Sequence, residues 1–332
     1  MVRRPEDLTP VCEEMGWPGL RALQLDPGND LFVETNFVLN YQYGMISFRP
    51  NKRVFLAGPR NTDYQTFCVV DKPYKNRNVF DFGDHGSYFE HGTLIGMLSS
   101  KNEESFQIGP SGSLQIAAVP WELVNDWCDK VSKLGDQVAS DFRKVMGKYN
   151  EYMLDPVWYD RLCAAFRRRA YSPQPDLSGE DFDQLMCIIA QTVTTGVVDS
   201  GMKSMPESAS LTKKIVDVAY SSDGCKPLKL CCLSTLLHSD QRTLQHDTNR
   251  QLGVGPMDLL RLCRFHQARR VLTYRPANEE FEAIIETRPT VERVFKHFGL
   301  SYSPHTRGLY QEFFGKTPKQ DELDSLKTYA HT

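Results

Sequence analysis

Near residue 120 the hydrophobic period of this 332-residue chain changes from two to 3.6. Upstream, Phe37, Leu39, Tyr41, Tyr43 and Met45 alternate with Asn40, Gln42 and Gly44, the pattern of a half-buried strand. Residues 46–58 read as two short strands around a turn at Pro50 and Asn51, and YQTFCVV, VFDF, TLIGML, SFQIG and SLQIAAV follow at hairpin spacing. Downstream, Val124, Trp127, Val131, Leu134, Val138, Phe142, Val145, Tyr149 and Tyr152 recur in steps of three and four, an amphipathic helical stripe. Side chains repeating every second residue suit a sheet, and those repeating every 3.6 suit helices. The expected fold class is therefore α+β, with a small antiparallel β-rich N-terminal domain followed by a larger all-helical C-terminal domain.

The period change sets the expected domains at residues 1–118 and 119–332. The stripe predicts one long helix over about 121–153, opened by Pro120 and closed before Pro156, with Gly135 and Gly147 as bends. A loop at 172–179 hands over to the next helix, with Ser178 as its N-cap. Residues 200–210 form an exposed loop, and further helices are expected at 211–222, 227–239, 256–275, 278–288 and 290–300. The tail from Lys316 is polar and expected to fray. No internal repeat is evident.

No apolar run approaches the ~18–20 residues of a membrane helix, and no apolar segment follows Arg3 and Arg4 as a secretory leader requires. A cytoplasmic or nuclear location follows as the expectation, with no membrane partner. The nine cysteines are unevenly spaced and read as free thiols, CC at 231–232 as small hydrophobes in a buried helix. Net charge is −3, yet residues 201–275 hold 12 Lys/Arg against 6 Asp/Glu. A positive stretch in an acidic chain points to a surface for a polyanion.

Asp81, Asp84, His85, Glu90 and His91 cluster between two strand-like stretches. Gly83, Gly86 and the aspartates are what a tight turn needs, and no metal-ligand spacing fits, so a solvated turn is expected. A metal-dependent or histidine-based hydrolase centred on His85 and His91 is the alternative. His91-Gly-Thr93 and His246-Asp-Thr248 match the short element of two-histidine phosphoesterases, but only the first abuts a strand. Ser111, in IGPSGSL, sits in a hairpin turn rather than at a nucleophile. Cys225, Cys231, Cys232, His238, His246, Cys263 and His266 match no zinc spacing. Phosphate-loop, dinucleotide and zincin motifs are absent. No metal and no cofactor is expected.

Two arginine-rich stretches interleave with aromatics: Arg167, Arg168 and Arg169 before Tyr171, and Arg261, Arg264, Arg269, Arg270 and Arg275 around Phe265 and Tyr274. Guanidinium forks clamp phosphates and aromatic rings stack bases. The resulting expectation is a non-enzymatic binding or assembly protein, viral nucleocapsid-like or accessory, that contacts RNA or another acidic partner through these eight arginines. A protein–protein adaptor using the long helix, with self-association, is the further alternative.

Overall fold

The structure is a computed structural model describing residues 2–3, 21–28, 31–39, 43–58, 63–72, 82–84, 87–88, 93–97, 104–110, 113–134, 137–145, 150–170, 179–201, 207–221, 226–273 and 290–329. The fold class is the α+β one expected, an antiparallel β-rich N-terminal part followed by a larger helical part. Strands give way to helices between Pro120 and Trp121. The compact units divide elsewhere: Met1–Ala22 and Phe32–Met205 form the first, Leu23–Leu31 and Pro206–Thr332 the second.

The strands are β1 (Val2–Arg3), β2 (Arg21–Gln24), β3 (Val33–Leu39), β4 (Gly44–Pro50), β5 (Val54–Gly58), β6 (Tyr64–Lys72) and β7 (Phe82–Asp84). β8 (Ser87–Tyr88), β9 (Thr93–Met97), β10 (Glu104–Ile108), β11 (Ser113–Pro120), β12 (Asn150–Leu154) and β13 (Val197–Gly201) follow. One sheet runs β1-β3-β4-β11-β6-β9-β12-β13 and the other β2-β5-β10-β7-β8. The alternating stretch read as one strand is split between β3 and β4, which pair antiparallel with Leu39 opposite Gly44. Phe37 lies opposite Ile46 and Val38 opposite Met45, so the alternation does not carry one face of the sheet through the hairpin.

The first unit contains α1 (Trp121–Lys133), α2 (Gln137–Val145), α3 (Pro156–Ala170) and α4 (Glu180–Thr195). Their apolar stripes share one core with alternate sheet residues, Met45 of β4, Phe67 and Val69 of β6, and Ala117 and Val119 of β11. Phe142 lies 6.3 Å from Phe67 and meets Trp127 edge-on at 6.1 Å. Ile46, Phe48, Cys68 and Ile116, on the opposite parity, are buried too, so both faces of the central strands are covered. The single helix expected over 121–153 is instead two helices and a strand. The stripe of apolar side chains continues, but Leu134-Gly135 weakens the helix and Asn150–Leu154 pairs with β9 and β13. Ser178 lies outside the described residues; Gly179, at φ 78°, occupies the N-cap of α4.

The second unit holds α5 (Glu207–Tyr220), α6 (Leu230–Leu236), α7 (Gln241–Leu252), α8 (Pro256–Thr273), α9 (Val291–His297), α10 (Pro304–Phe314) and α11 (Pro318–Tyr329). Twelve of the eighteen residues of α8 are buried, and Leu262, Phe265, Ala268, Val271 and Leu272 join the α9 and α10 aromatics in one core. The tail expected to fray is the helix α11, held by the buried Asp321. Cys231 and Cys232 are exposed on α6, where Leu233 alone is buried. A seven-residue helix turns too little of its surface inward to cover three consecutive residues.

Among the described residues no helix is long and apolar enough to cross a membrane. No group of three or more His, Cys, Asp and Glu there could hold a metal ion. Asp81, His85, Glu90, His91, Ser111, Arg275, Cys225, the loop 172–178 and the helix expected at 278–288 lie outside the described residues.

Candidate nucleic-acid interface

The second unit repeats one motif twice. In the first copy, α6 ends in a turn whose second residue, His238, has φ 50°. The N–H of Ser239 returns to the carbonyl of Ser234 at 3.1 Å and that of His238 to Thr235 at 3.3 Å. In the second, α9 ends with Gly299 at φ 65°, and the N–H groups of Leu300 and Gly299 return to Phe295 at 2.9 Å and Lys296 at 3.1 Å. Both are Schellman closures, which need a left-handed residue just past the helix.

Each turn delivers the chain to a capped second helix. Asp240 accepts from the N–H of Thr243 at 2.9 Å, and Ser303 accepts from the N–H of Thr306 at 3.2 Å. The Thr243 hydroxyl and backbone N–H hold the Asp240 carboxyl below its ordinary range, so the cap is ionised at neutral pH. α7 buries Leu244, Thr248 and Leu252, and α10 buries Thr306, Tyr310 and Phe314, in each case at every fourth position. Both helices stop at a left-handed glycine, Gly253 at φ 67° and Gly315 at φ 69°. In both, a proline then opens the next helix, Pro256 of α8 and Pro318 of α11. A short helix, a tight turn and a second helix with one buried stripe make a helix-turn-helix.

The outward faces of the second helices carry hydrogen-bonding side chains. Gln241, Arg242, Gln245, His246, Asn249 and Arg250 are exposed on α7, and His305, Arg307, Gln311 and Glu312 on α10. His246 lies 3.0 Å from Asp247, and Thr248 is buried with its hydroxyl on the carbonyl of Leu244, so His246-Asp-Thr248 forms no exposed catalytic face.

α8 ties the two copies together from inside. Arg264 donates to the carbonyl of Gly299, in the second turn, at 3.3 Å, and to that of Lys226, ahead of the first copy, at 2.6 Å. Arg269 pairs with the buried Asp321 at 3.3 Å and lies 4.4 Å over the Phe314 ring, and Tyr310 donates its hydroxyl to Asp321 at 2.8 Å. His266 meets Phe314 edge-on at 5.1 Å.

Seven of the eight arginines singled out in the sequence lie among the described residues, and these seven are dispersed. Arg264 and Arg269 are interior to the second unit. Arg261 pairs with Asp258 at 2.9 Å, and Arg270 is partly exposed. Arg167, Arg168 and Arg169 belong to the first unit, where Arg169 is buried in an ion pair with Asp181 while the other two are exposed. Sequence reasoning named no helix over α7 or α10 and so missed Arg242 and Arg307. The recurrence of Gly253-Val-Gly-Pro256 as Gly315-Lys-Thr-Pro318, each starting one residue past a buried i, i+4, i+8 stripe, is the signal that exposes the repeat.

No protein-family model and no curated protein matches the sequence. Solved structures similar to the chain include the AraC-like transcriptional activator CuxR, at 10% identity and TM-score 0.39, covering 81% of this chain and 94% of that one. ToxT from Vibrio cholerae is similar at 10% identity and TM-score 0.30, covering 92% of this chain and 97% of that one. A probable AraC family transcriptional regulator from Rhodopseudomonas palustris CGA009 is similar at 18% identity and TM-score 0.29, covering 35% of this chain and 97% of that one. Likeness at this level assigns neither family nor function. The expectation of a viral nucleocapsid-like, RNA-contacting assembly protein is corrected: the arginine-rich helix behind it is the interior of the second unit, with Arg264 and Arg269 buried there.

Proposed function

We propose that the second unit binds double-stranded DNA through its two helix-turn-helix copies and that the chain regulates transcription. The observation that carries this is the duplication itself, with α7 and α10 presented by the same turn, cap and glycine stop. A major groove about 12 Å wide admits one α-helix, and the N-terminal residues of the second helix of such a motif reach base edges. Arginine suits guanine and Asn or Gln suits adenine, and α7 offers Arg242, Gln245 and Asn249 while α10 offers Arg307 and Gln311. The two helices carry different side chains, so the preferred site is bipartite and asymmetric. A DNA partner is met in a cytoplasm or a nucleus.

Selection of duplexes from a randomised pool by the full chain, followed by mobility-shift titration, tests the reading. An enriched two-part sequence is expected, with R242A relaxing one part and R307A the other, each by about 1–3 kcal/mol of discrimination. No enrichment, or enrichment unchanged in both variants, overturns it.

A further inference from the structure

Within the first unit, a groove of about 440 Å³ opens between α3 and α4. Its base is apolar, formed by Ala165, Leu185 and Ile188, and its rim is Trp158, three arginines, Gln184 and Gln191. Trp158, Arg161, Ala165 and Arg168 fall three, four and three residues apart, which places them along one face of α3. From α4, Gln184, Ile188 and Gln191 face them with the same spacing.

The charges here are unequal in role. Arg169 is neutralised by Asp181 of the first turn of α4, so that pair fastens the two helices. Arg161 and Arg168 are exposed, and among the described residues no Asp or Glu lines the groove. Among the described residues, no carboxylate pairs with either of them. The Arg161 guanidinium lies 5.1 Å from the centroid of the Trp158 indole, within cation–π range. The indole's seat is itself built: a Cβ at Gly196 would fall 2.6 and 2.7 Å from Trp158 atoms, although the backbone there, at φ −93°, suits any residue. The same Cβ would fall 2.8 Å from the Thr192 carbonyl oxygen, so Gly196 serves both the position of Trp158 and the close of α4.

We infer that this groove binds a small organic molecule with an oxyanion head, carboxylate or phosphate, and a flat apolar body. Arg161 and Arg168 take the head, Gln184 and Gln191 bond its remaining polar atoms, and the body lies on Trp158 and the aliphatic base. Two guanidinium groups lining one groove, with no carboxylate partner among the described residues, favour an anion over a neutral ligand. The volume lies within the range of small-molecule sites, and a small polar set on an apolar base is their usual lining.

The test uses the full chain with phenyl phosphate and benzoate as probes, and benzyl alcohol as the neutral control. Binding is read by calorimetry and by the rise in melting temperature. Phenyl phosphate, benzoate or both are expected to bind while benzyl alcohol does not, and the preference between the two anions identifies the head group. In R161Q/R168Q, whose substituted side chains are exposed and leave the Arg169–Asp181 fastening in place, affinity is expected to fall at least tenfold with the unliganded melting temperature unchanged. No binding by either anion overturns the inference, as does equal binding by the double variant. A change of oligomeric state in the double variant, with no loss of probe binding, would reassign the groove to a protein interface and overturn it too.

Discussion

Gln24 donates its backbone N–H to Nε2 of His266, 242 positions along the chain, at 3.0 Å. The bond lies inside the second unit, because Leu23–Leu31 packs with the C-terminal helices. The Gln24 side-chain amide reaches the carbonyls of Asp26, Gly28 and Phe313, and the N–H of Gly28 meets the carbonyl of Phe313 at 3.0 Å. An N-terminal segment thus closes the end of α10. Removing the amide in Gln24→Ala leaves those carbonyls to find other donors, and the second unit is expected to lose about 1–3 kcal/mol. Urea unfolding followed by helical circular dichroism measures it, and an unshifted midpoint would show that the segment is not part of the unit's stability.

Arg269 and Arg270 are neighbours with opposite fates. Arg269→Ala leaves Asp321 charged and buried, and is expected to cost about 3–5 kcal/mol. Arg270→Ala, at a partly exposed site, is expected to stay within about 0.5 kcal/mol. Equal effects in thermal melts would refute the inward orientation of Arg269.

His238 holds φ 50° where the corresponding residue of the second copy is Gly299. A left-handed backbone costs a residue with a Cβ about 1–2 kcal/mol, a cost that glycine's extra unfolded-state freedom partly offsets. His238→Gly is therefore expected to be neutral or to stabilise by up to about 1 kcal/mol, whereas β-branched His238→Val destabilises by more than that. A stabilising valine in calorimetry would contradict the turn's geometry.

Burial raises the Cys128 thiol above its ordinary value of 9.0, with Arg143 pulling the other way. The folded state therefore holds this proton more tightly than the unfolded one. Its contribution to stability is intact below pH 9 and is lost as pH rises beyond that. Iodoacetamide at pH 8 is expected to label exposed Cys231 and Cys232 while Cys68, Cys128, Cys163 and Cys263 react only after unfolding. Peptide mass mapping distinguishes the two sets, and early labelling of Cys128 would contradict its placement.

The switch of period near residue 120 determined the α+β class, because side chains repeating every second residue and every 3.6 residues can bury one face only as strands and as helices. Local signals also determined ends: Pro120 closes β11 where α1 opens, and Pro156 opens α3. Tertiary structure decided the rest. Asn150–Leu154 continues a helical stripe in sequence yet becomes a strand, since an open sheet edge on β9 offered its backbone a ladder. α8 carries arginines that sequence alone reads as surface, and the carbonyls of Gly299 and Lys226 and the carboxylate of Asp321 help make their burial tolerable. The repeat of helix, turn and helix was written in Gly-x-x-Pro and in apolar stripes. What turned it into a pair of presented helices was packing on α8, against which α7 and α9 both lie and whose apolar side chains share one core with α9 and α10.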